Sequence, residues 1–541
     1  MPIRERPGRE ARSYSQRTFW LPFLFFAMLG TLWALATPPL SAPDEVAHSY
    51  KAIALVRGTA MGTYDPATGH VQLPIPEEFS FDSTMMCYWT HPEVSAACSV
   101  PLGSLQPGQQ LDNWVANYNP LYYASVGWPS LIVGGDSGIY LMRVASALLS
   151  AVFFAWAAQL ALARPARRWL ASYPVFLAAP MLLYLSGSIN PSGIEIASGA
   201  ALWIALLRLL ELASSPGGAR GGAYLWVVAA ASSVYLANAR ALGPLWVLLV
   251  ALGAVLVVGW RPFWSLLAQR TSWLWLGLIL AGGVFSFVWT RTSGTLSSQA
   301  EPGDTFLVGA SPLQGAFTML RHFPEFMQQA LGYFGWLDTP LPAEEYWIPI
   351  GLTTAFLLMA VLVLPRRASL TLLAFAAATF LIPAAVQGIS VSQTGFIWQG
   401  RYGIILFLGV GVVAAWLLSA PGRAERVAFL SERMTWALAA GFGIFGLLAF
   451  VFVMYRYAVG IGAEFTRFLH SPEWQPPLGW VSLAVLYLVV SALLACWIGM
   501  QARALGRRAE PPTFPESRAP AAGGRRRTET AAQEQAEAPL A

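Results

Sequence analysis

Apolar runs, each on the order of 20 residues, recur almost from end to end of this chain, and no other feature limits its fold so tightly. A run of that length is what an α-helix needs to cross hydrocarbon, where backbone N–H and C=O groups find partners only within the helix. The runs fall at 19–36, 139–163, 169–186, 194–212, 224–237, 244–260, 272–290, 347–364, 370–387, 402–418, 435–455 and 478–500. The fifth is short and barely separated from the sixth, so a tight hairpin through 238–243 and a re-entrant pair both fit. Composition agrees: 56% of the residues are hydrophobic and 11% charged, where a soluble domain carries about 25% charged residues. The expected fold is all-α, a polytopic integral membrane protein with about twelve transmembrane helices.

Arginine sets the orientation. With the N-terminus inside, the inner segments hold Arg4, Arg6, Arg9, Arg12 and Arg17, then Arg164, Arg167 and Arg168, then Arg366 and Arg367, then Arg423, Arg426 and Arg433, then Arg503, Arg507 and Arg508. The short outer loops are nearly bare, which is the positive-inside pattern with both termini cytoplasmic. The formal net charge of +5 is therefore topogenic, since its basic residues are dispersed among apolar spans and form no nucleic-acid patch. The first run follows a basic tail but has no small-residue cleavage site before Pro38 and Pro39, so it reads as a retained helix and not a signal peptide.

This places a cytoplasmic basic tail at 1–18, a membrane domain at 19–500 and a Pro-, Ala-, Arg- and Glu-rich disordered cytoplasmic tail at 501–541. Three segments lie outside, at 37–137, 291–346 and 456–477, and the first is the largest. Its many Trp, Tyr and Leu residues argue against disorder, and loops of that length usually serve function. Of three cysteines, Cys87 and Cys98 share this outer loop, where oxidation favours a disulfide, while Cys496 lies in the last span. His91 alone is thin support for a metal reading of the pair.

Directly after the first run stand Asp44 and Glu45, followed by His48 and Lys51 on the face of Asp44 at i+4 and i+7. A carboxylate at the water–lipid boundary can deprotonate a hydroxyl, or the pair could hold a divalent cation such as Mg or Mn. The structural alternative is a capping box, with Ser41 three residues before Asp44. Farther along, Asn119, Tyr122 and Tyr123 form an amide-aromatic patch suited to sugar rings and equally ordinary for a membrane interface. Arg143, Arg240 and Arg401 enter apolar spans at their outer ends, where a charge is costly and is paired, snorkelling or functional; phosphate is the natural functional partner of a guanidinium. Trp336 and Asp338 occupy a Pro-bracketed turn, with Glu344 and Glu345 beyond. No Walker loop, GxSxG elbow, HExxH or dinucleotide fingerprint occurs, which argues against ATP-driven and soluble-enzyme chemistry.

Taken in order, Pro43-Asp44-Glu45, Asn119-Pro-Leu-Tyr-Tyr123, Ser188-Ile-Asn190-Pro191, Gly335-Trp336-Leu-Asp338-Thr and Gln399-Gly-Arg401-Tyr402 resemble the bacterial membrane family known as domain of unknown function 2142, from about residue 19 to 418. That family is similar to the GT-C glycosyltransferases, which take sugars from polyprenyl-phosphate carriers on the outer face of the membrane. The resemblance implies a GT-C-like fold in a bacterial cell membrane and inverting transfer to a glycan or lipid-linked acceptor of the cell envelope. Asp44 and Glu45 would be the catalytic acids or metal ligands, with Arg401, Arg143 and Arg240 on the donor phosphate. His48, Lys51, Asn119, Tyr122, Tyr123, Trp336, Asp338, Gln399 and Tyr402 would surround the substrates. Family members often carry an acid after the Asn-Pro pair, where this chain has Ser192, with Glu195 three residues on. Other readings stay open: a flippase or exporter of lipid-linked glycans, a polysaccharide polymerase or ligase, and a non-catalytic scaffold.

Overall fold

The first helix, Gln16–Ala36, runs until Thr37-Pro38-Pro39 ends it, because proline cannot supply the N–H that a continuing helix needs. The computed structural model describes residues 16–66, 69–103, 110–214, 222–295, 305–420 and 427–509, which form one compact unit. The expectations for the tail before residue 16 and the tail beyond 509, and for Arg423 and Arg426, lie outside the described residues.

The described chain is mostly helical. Eight helices are long and apolar enough to cross a membrane, or up to ten if each of two bent pairs is one span. The bent pairs are Ala166–Leu177 with Pro180–Ser186, at 59°, and Gly243–Val258 with Trp260–Leu267, at 117°. Two expected spans become shorter helices, Ala223–Ala239 and Trp347–Val363, of 17 residues each. At 1.5 Å per residue such a helix is about 25 Å long, short of the roughly 30 Å hydrocarbon thickness. Every expected apolar run therefore meets a helix, as one of the eight long helices, the two bent pairs or these two shorter helices.

Side chains report the solvent. Leu274, Leu280, Leu362 and Ile389 stand outward on the long helices, exposed as no water-soluble surface would tolerate in such number. Inward faces pack closely: a Cβ on Gly187 would lie 2.5 Å from the Gly30 carbonyl oxygen, so small residues let the first helix and the segment after Pro180–Ser186 touch by backbone. Trp33 on the first helix stacks on Phe334 and meets Tyr184 and Phe450 edge-on, tying three distant segments into one core.

The segment 37–137 is no simple loop. It contains a helix, Glu45–Val56, buried from Glu45 to Ala54, a short helix, Pro120–Gly127, and a three-stranded antiparallel sheet of Thr63–Tyr64, Val71–Pro74 and Gln110–Asp112. A second small ribbon pairs Tyr333–Phe334 with Thr339–Pro340, so strict all-α gives way to mostly helical with two small sheets. Cys87 and Cys98 are joined by a disulfide within the same segment. The segment 291–346 likewise holds two helices, Pro312–Arg321 and Phe323–Gly332.

Candidate functional site

Two Asn-Pro steps fix the helices that frame the site. Asn119 and Asn190 each accept a bond from the backbone N–H two residues on, capping Pro120–Gly127 and Pro191–Ala213, with proline at the first helical position. Each asparagine also reaches outward. Asn119 donates to Asn238 at 2.7 Å, and Asn190 donates to the Pro43 carbonyl at 2.8 Å, holding the Pro-Asp-Glu turn from behind.

Asp44 takes the left-handed conformation, φ 59°, at the start of the helix Glu45–Val56, and its side chain caps nothing. Ser41 bonds the Pro38 carbonyl instead, so the capping-box alternative does not hold. A non-glycine residue held at positive φ costs free energy, and such strain gathers where a side chain must be aimed. The Asp44 carboxylate is aimed at Arg401, accepting from Nη2 at 2.5 Å, and it remains 27% exposed where Arg401 is 4% exposed.

Glu45 meets a different fate. Both its oxygens take a bidentate grip from Arg143, at 2.7 and 2.5 Å, and they also accept from the N–H groups of Ala42 and Ile189. Arg143 spends its remaining donors on the carbonyls of Ala34, Thr37 and Pro38. This buried pair staples the end of the first helix to the helix Gly135–Leu162 and leaves neither partner a free edge. Lys51 is used in the same way, donating to the carbonyls of Ala60 and Ala116.

The corner Gly400–Gly403 comes from far along the chain. Gly400 is required there: its N–H donates to Gln329 at 2.7 Å, and a Cβ would fall 2.2 Å from the Phe326 carbonyl oxygen. Arg240, at the end of Ala223–Ala239, arrives from a third direction and donates to Ser192 at 3.0 Å. The guanidiniums of Arg240 and Arg401 both lie over the Tyr402 ring, at 4.2 and 5.4 Å from its centroid. Nε and Nη1 of Arg401 are buried with no hydrogen-bond partner, as is Oε1 of Gln399. Buried guanidinium donors without acceptors are costly, and an anion is the kind of group that would satisfy them.

Electrostatics at the rim follow from these neighbours. Burial pushes the Asp44 carboxyl up, but Arg401, His48 and Arg240 outweigh it and hold the group below the usual carboxylate range. Burial keeps His48 neutral, pulled down to about 3 against the opposing pull of Asp44, and its Nδ1 bonds the Tyr123 hydroxyl at 2.8 Å. Burial raises the phenols of Tyr118 and Tyr123.

Other expected site residues lie elsewhere in role. Tyr122 bonds Ser146 inside the core, and Trp336 stacks against Trp89 at 4.4 Å. Asp338 pairs with Arg456 at 3.3 Å, which also grips the carbonyls of Tyr88, His91 and Val94 and so ties the outer segments together. Glu195, buried and facing the charges of Arg240 and Arg401, joins the site together with Ser192 and Tyr118. The Asn-Pro step one turn before Glu195 was the available signal.

An apolar cavity of about 320 Å³ is lined among others by Ile404, Phe407 and Leu408 of the helix that continues from Arg401. Ala330, whose backbone nitrogen packs against Gly400, forms part of its wall. Among the described residues no group of three or more His, Cys, Asp or Glu side chains gathers to hold a metal ion. Asp44 and Glu45 each face a guanidinium, so the two carboxylates do not fit a shared cation site.

A family model described as a predicted membrane protein, DUF2142, matches residues 25–410. No curated protein matches the chain. Among solved structures it is similar to ArnT from Cupriavidus metallidurans bound to undecaprenyl phosphate, at 14% identity and a TM-score of 0.41, covering 92% of this chain and 79% of that one. The apo state of the same protein gives 14% identity, a TM-score of 0.39 and coverages of 91% and 78%.

Proposed function

The chain belongs to the DUF2142 family of predicted membrane proteins, and from that premise we propose that it is a glycosyltransferase using a polyprenyl-phosphate-linked sugar as donor. The observation that carries this reading is the meeting of Asp44, Arg401 and Arg240, with an apolar cavity lined by Ile404 and Phe407 of the helix that continues from Arg401. A lipid phosphate needs this combination: cations with open donors for the headgroup and an uncharged groove for the tail. The arginine distribution supports a corner on the outer face of a bacterial cell membrane with both termini inside, a GT-C-like arrangement.

In the reaction, an acceptor hydroxyl on an envelope glycan or lipid-linked acceptor attacks the anomeric carbon from the face opposite the phosphate, and Asp44 takes its proton. The bond from that carbon to the phosphate oxygen breaks, its electron pair stays on the oxygen, and the configuration inverts. The leaving polyprenyl phosphate gains negative charge, so Arg401 and Arg240 stabilise the transition state more than the ground state. Glu45 and Arg143, which the sequence placed among the catalytic and phosphate-binding residues, position the Asp44 turn instead. No step is routed through a metal ion.

The test is turnover of radiolabelled polyprenyl-phospho-sugars by purified protein supplied with an envelope extract. Asp44→Asn and Arg401→Ala should each lower turnover at least about 100-fold, the order of effect of a lost general base or charge-stabilising donor. Unchanged turnover in both variants would contradict the mechanism.

A further inference from the structure

Asp44, the proposed base, and Arg401, the proposed phosphate ligand, are bonded to each other at 2.5 Å. A carboxylate held by a guanidinium is a weak base, so the resting arrangement opposes the reaction that the same residues serve. Arg401 engages Asp44 through Nη2 alone, while Nε and Nη1 stay buried without acceptors. By contrast Arg143, using Nε and Nη2 together, shows the two-bond grip a guanidinium makes when it is fully committed to one carboxylate.

Resting on the function proposed above, we infer that the donor phosphate arms the base: on arrival it takes the open nitrogens of Arg401, draws the charge of Arg401 and Arg240 away from Asp44, and so must bind before the acceptor can react. Among the described residues these titratable groups act on or face Asp44, and Glu195 faces both of its arginines. Arg401 and Tyr402 come from the corner, Arg240 from the end of Ala223–Ala239, His48 from the helix that Asp44 begins, and Tyr118 and Tyr123 from around Asn119. His48 is neutral and Tyr118 and Tyr123 keep their protons, so the two guanidiniums are the cations whose hold a phosphate can relax. A phosphate anion between them offsets their charge and also repels the carboxylate, and both effects raise its affinity for a proton.

The experiment follows the infrared carbonyl band of protonated Asp44, isolated as the difference between wild-type protein and Asp44→Asn. It is titrated in nanodiscs with and without saturating decaprenyl phosphate, whose binding is measured separately on wild-type protein and Arg401→Ala. The expected result is a titration midpoint at least one pH unit higher with the lipid bound. An unchanged or lower midpoint, with lipid bound and that binding lost in Arg401→Ala, overturns the inference and leaves the proposed donor site standing. Absence of lipid binding to wild-type protein, or binding indifferent to Arg401→Ala, removes the donor site itself and the inference with it.

Discussion

Asp44 and Glu45 are consecutive in sequence, and their partners lie 357 and 98 residues away. The adjacent carboxylates are visible in sequence, but which one works and which one holds depends on long-range contacts that no local pattern encodes. Glu45 is fully buried with Arg143, and removing one member of such a pair strands the other charge, at about 3–5 kcal/mol. Glu45→Gln should therefore lower the thermal unfolding midpoint and the yield of folded protein sharply, and more than Asp44→Asn, whose carboxylate is 27% exposed. A midpoint unmoved in Glu45→Gln would remove its structural role. His48 gives a pH signature. Its usual value of 6.5 falls to about 3 in the folded chain, so between those values the unfolded state binds the extra proton. Its contribution to stability is complete above about pH 6.5 and is lost as pH falls toward 3, at up to about 1.4 kcal/mol per unit. Melts of wild-type protein and His48→Asn across pH 4–7 should show a shallower slope in the variant, and parallel slopes would contradict the assignment.

At the scale of elements, hydropathy alone located every long apolar helix, because burial in lipid leaves an uninterrupted run, but not the shorter helices of the outer segments such as Glu45–Val56. Direction is another matter. Nothing in the run 244–260 announces the 117° bend after Gly243–Val258, and residues 224–237 gave no sign whether that helix reaches across. Asn119 reads in sequence as part of a patch suited to sugar rings or to a membrane interface, and Asn190 only as part of a family motif, yet both asparagines are helix caps whose second bond braces the site. The Gln-Gly-Arg-Tyr corner was visible as a motif, while the reason for its glycine was not, since the clash partner belongs to Phe323–Gly332. Gly400→Ala should shift this corner and cost about 1–3 kcal/mol, with at least a tenfold loss of donor turnover. Gly403→Ala, whose Cβ would meet nothing nearer than 3.6 Å, is the control expected to behave like wild type. Equal behaviour of the two variants would refute the close-packing account.

At the scale of the molecule, the first helix, the buried outer segment and the helix from Ile404 bring the Pro-Asp-Glu turn onto the Gln-Gly-Arg-Tyr corner, and Ile404, Phe407 and Leu408 of that last helix line the apolar cavity. Composition foretold a membrane protein but not this cavity, whose walls come from helices spread between residues 176 and 442. The cavity and the open nitrogens of Arg401 together make one claim, that this place holds a lipid with a phosphate head. Equilibrium binding of decaprenyl phosphate to wild-type protein and to Arg401→Ala in nanodiscs tests it without knowledge of sugar or acceptor. The account predicts saturable binding that weakens at least about tenfold in the variant, the loss of roughly 1.4 kcal/mol or more expected for a charge-assisted phosphate contact. Equal affinity in the two proteins, or no saturable binding in either, would contradict it.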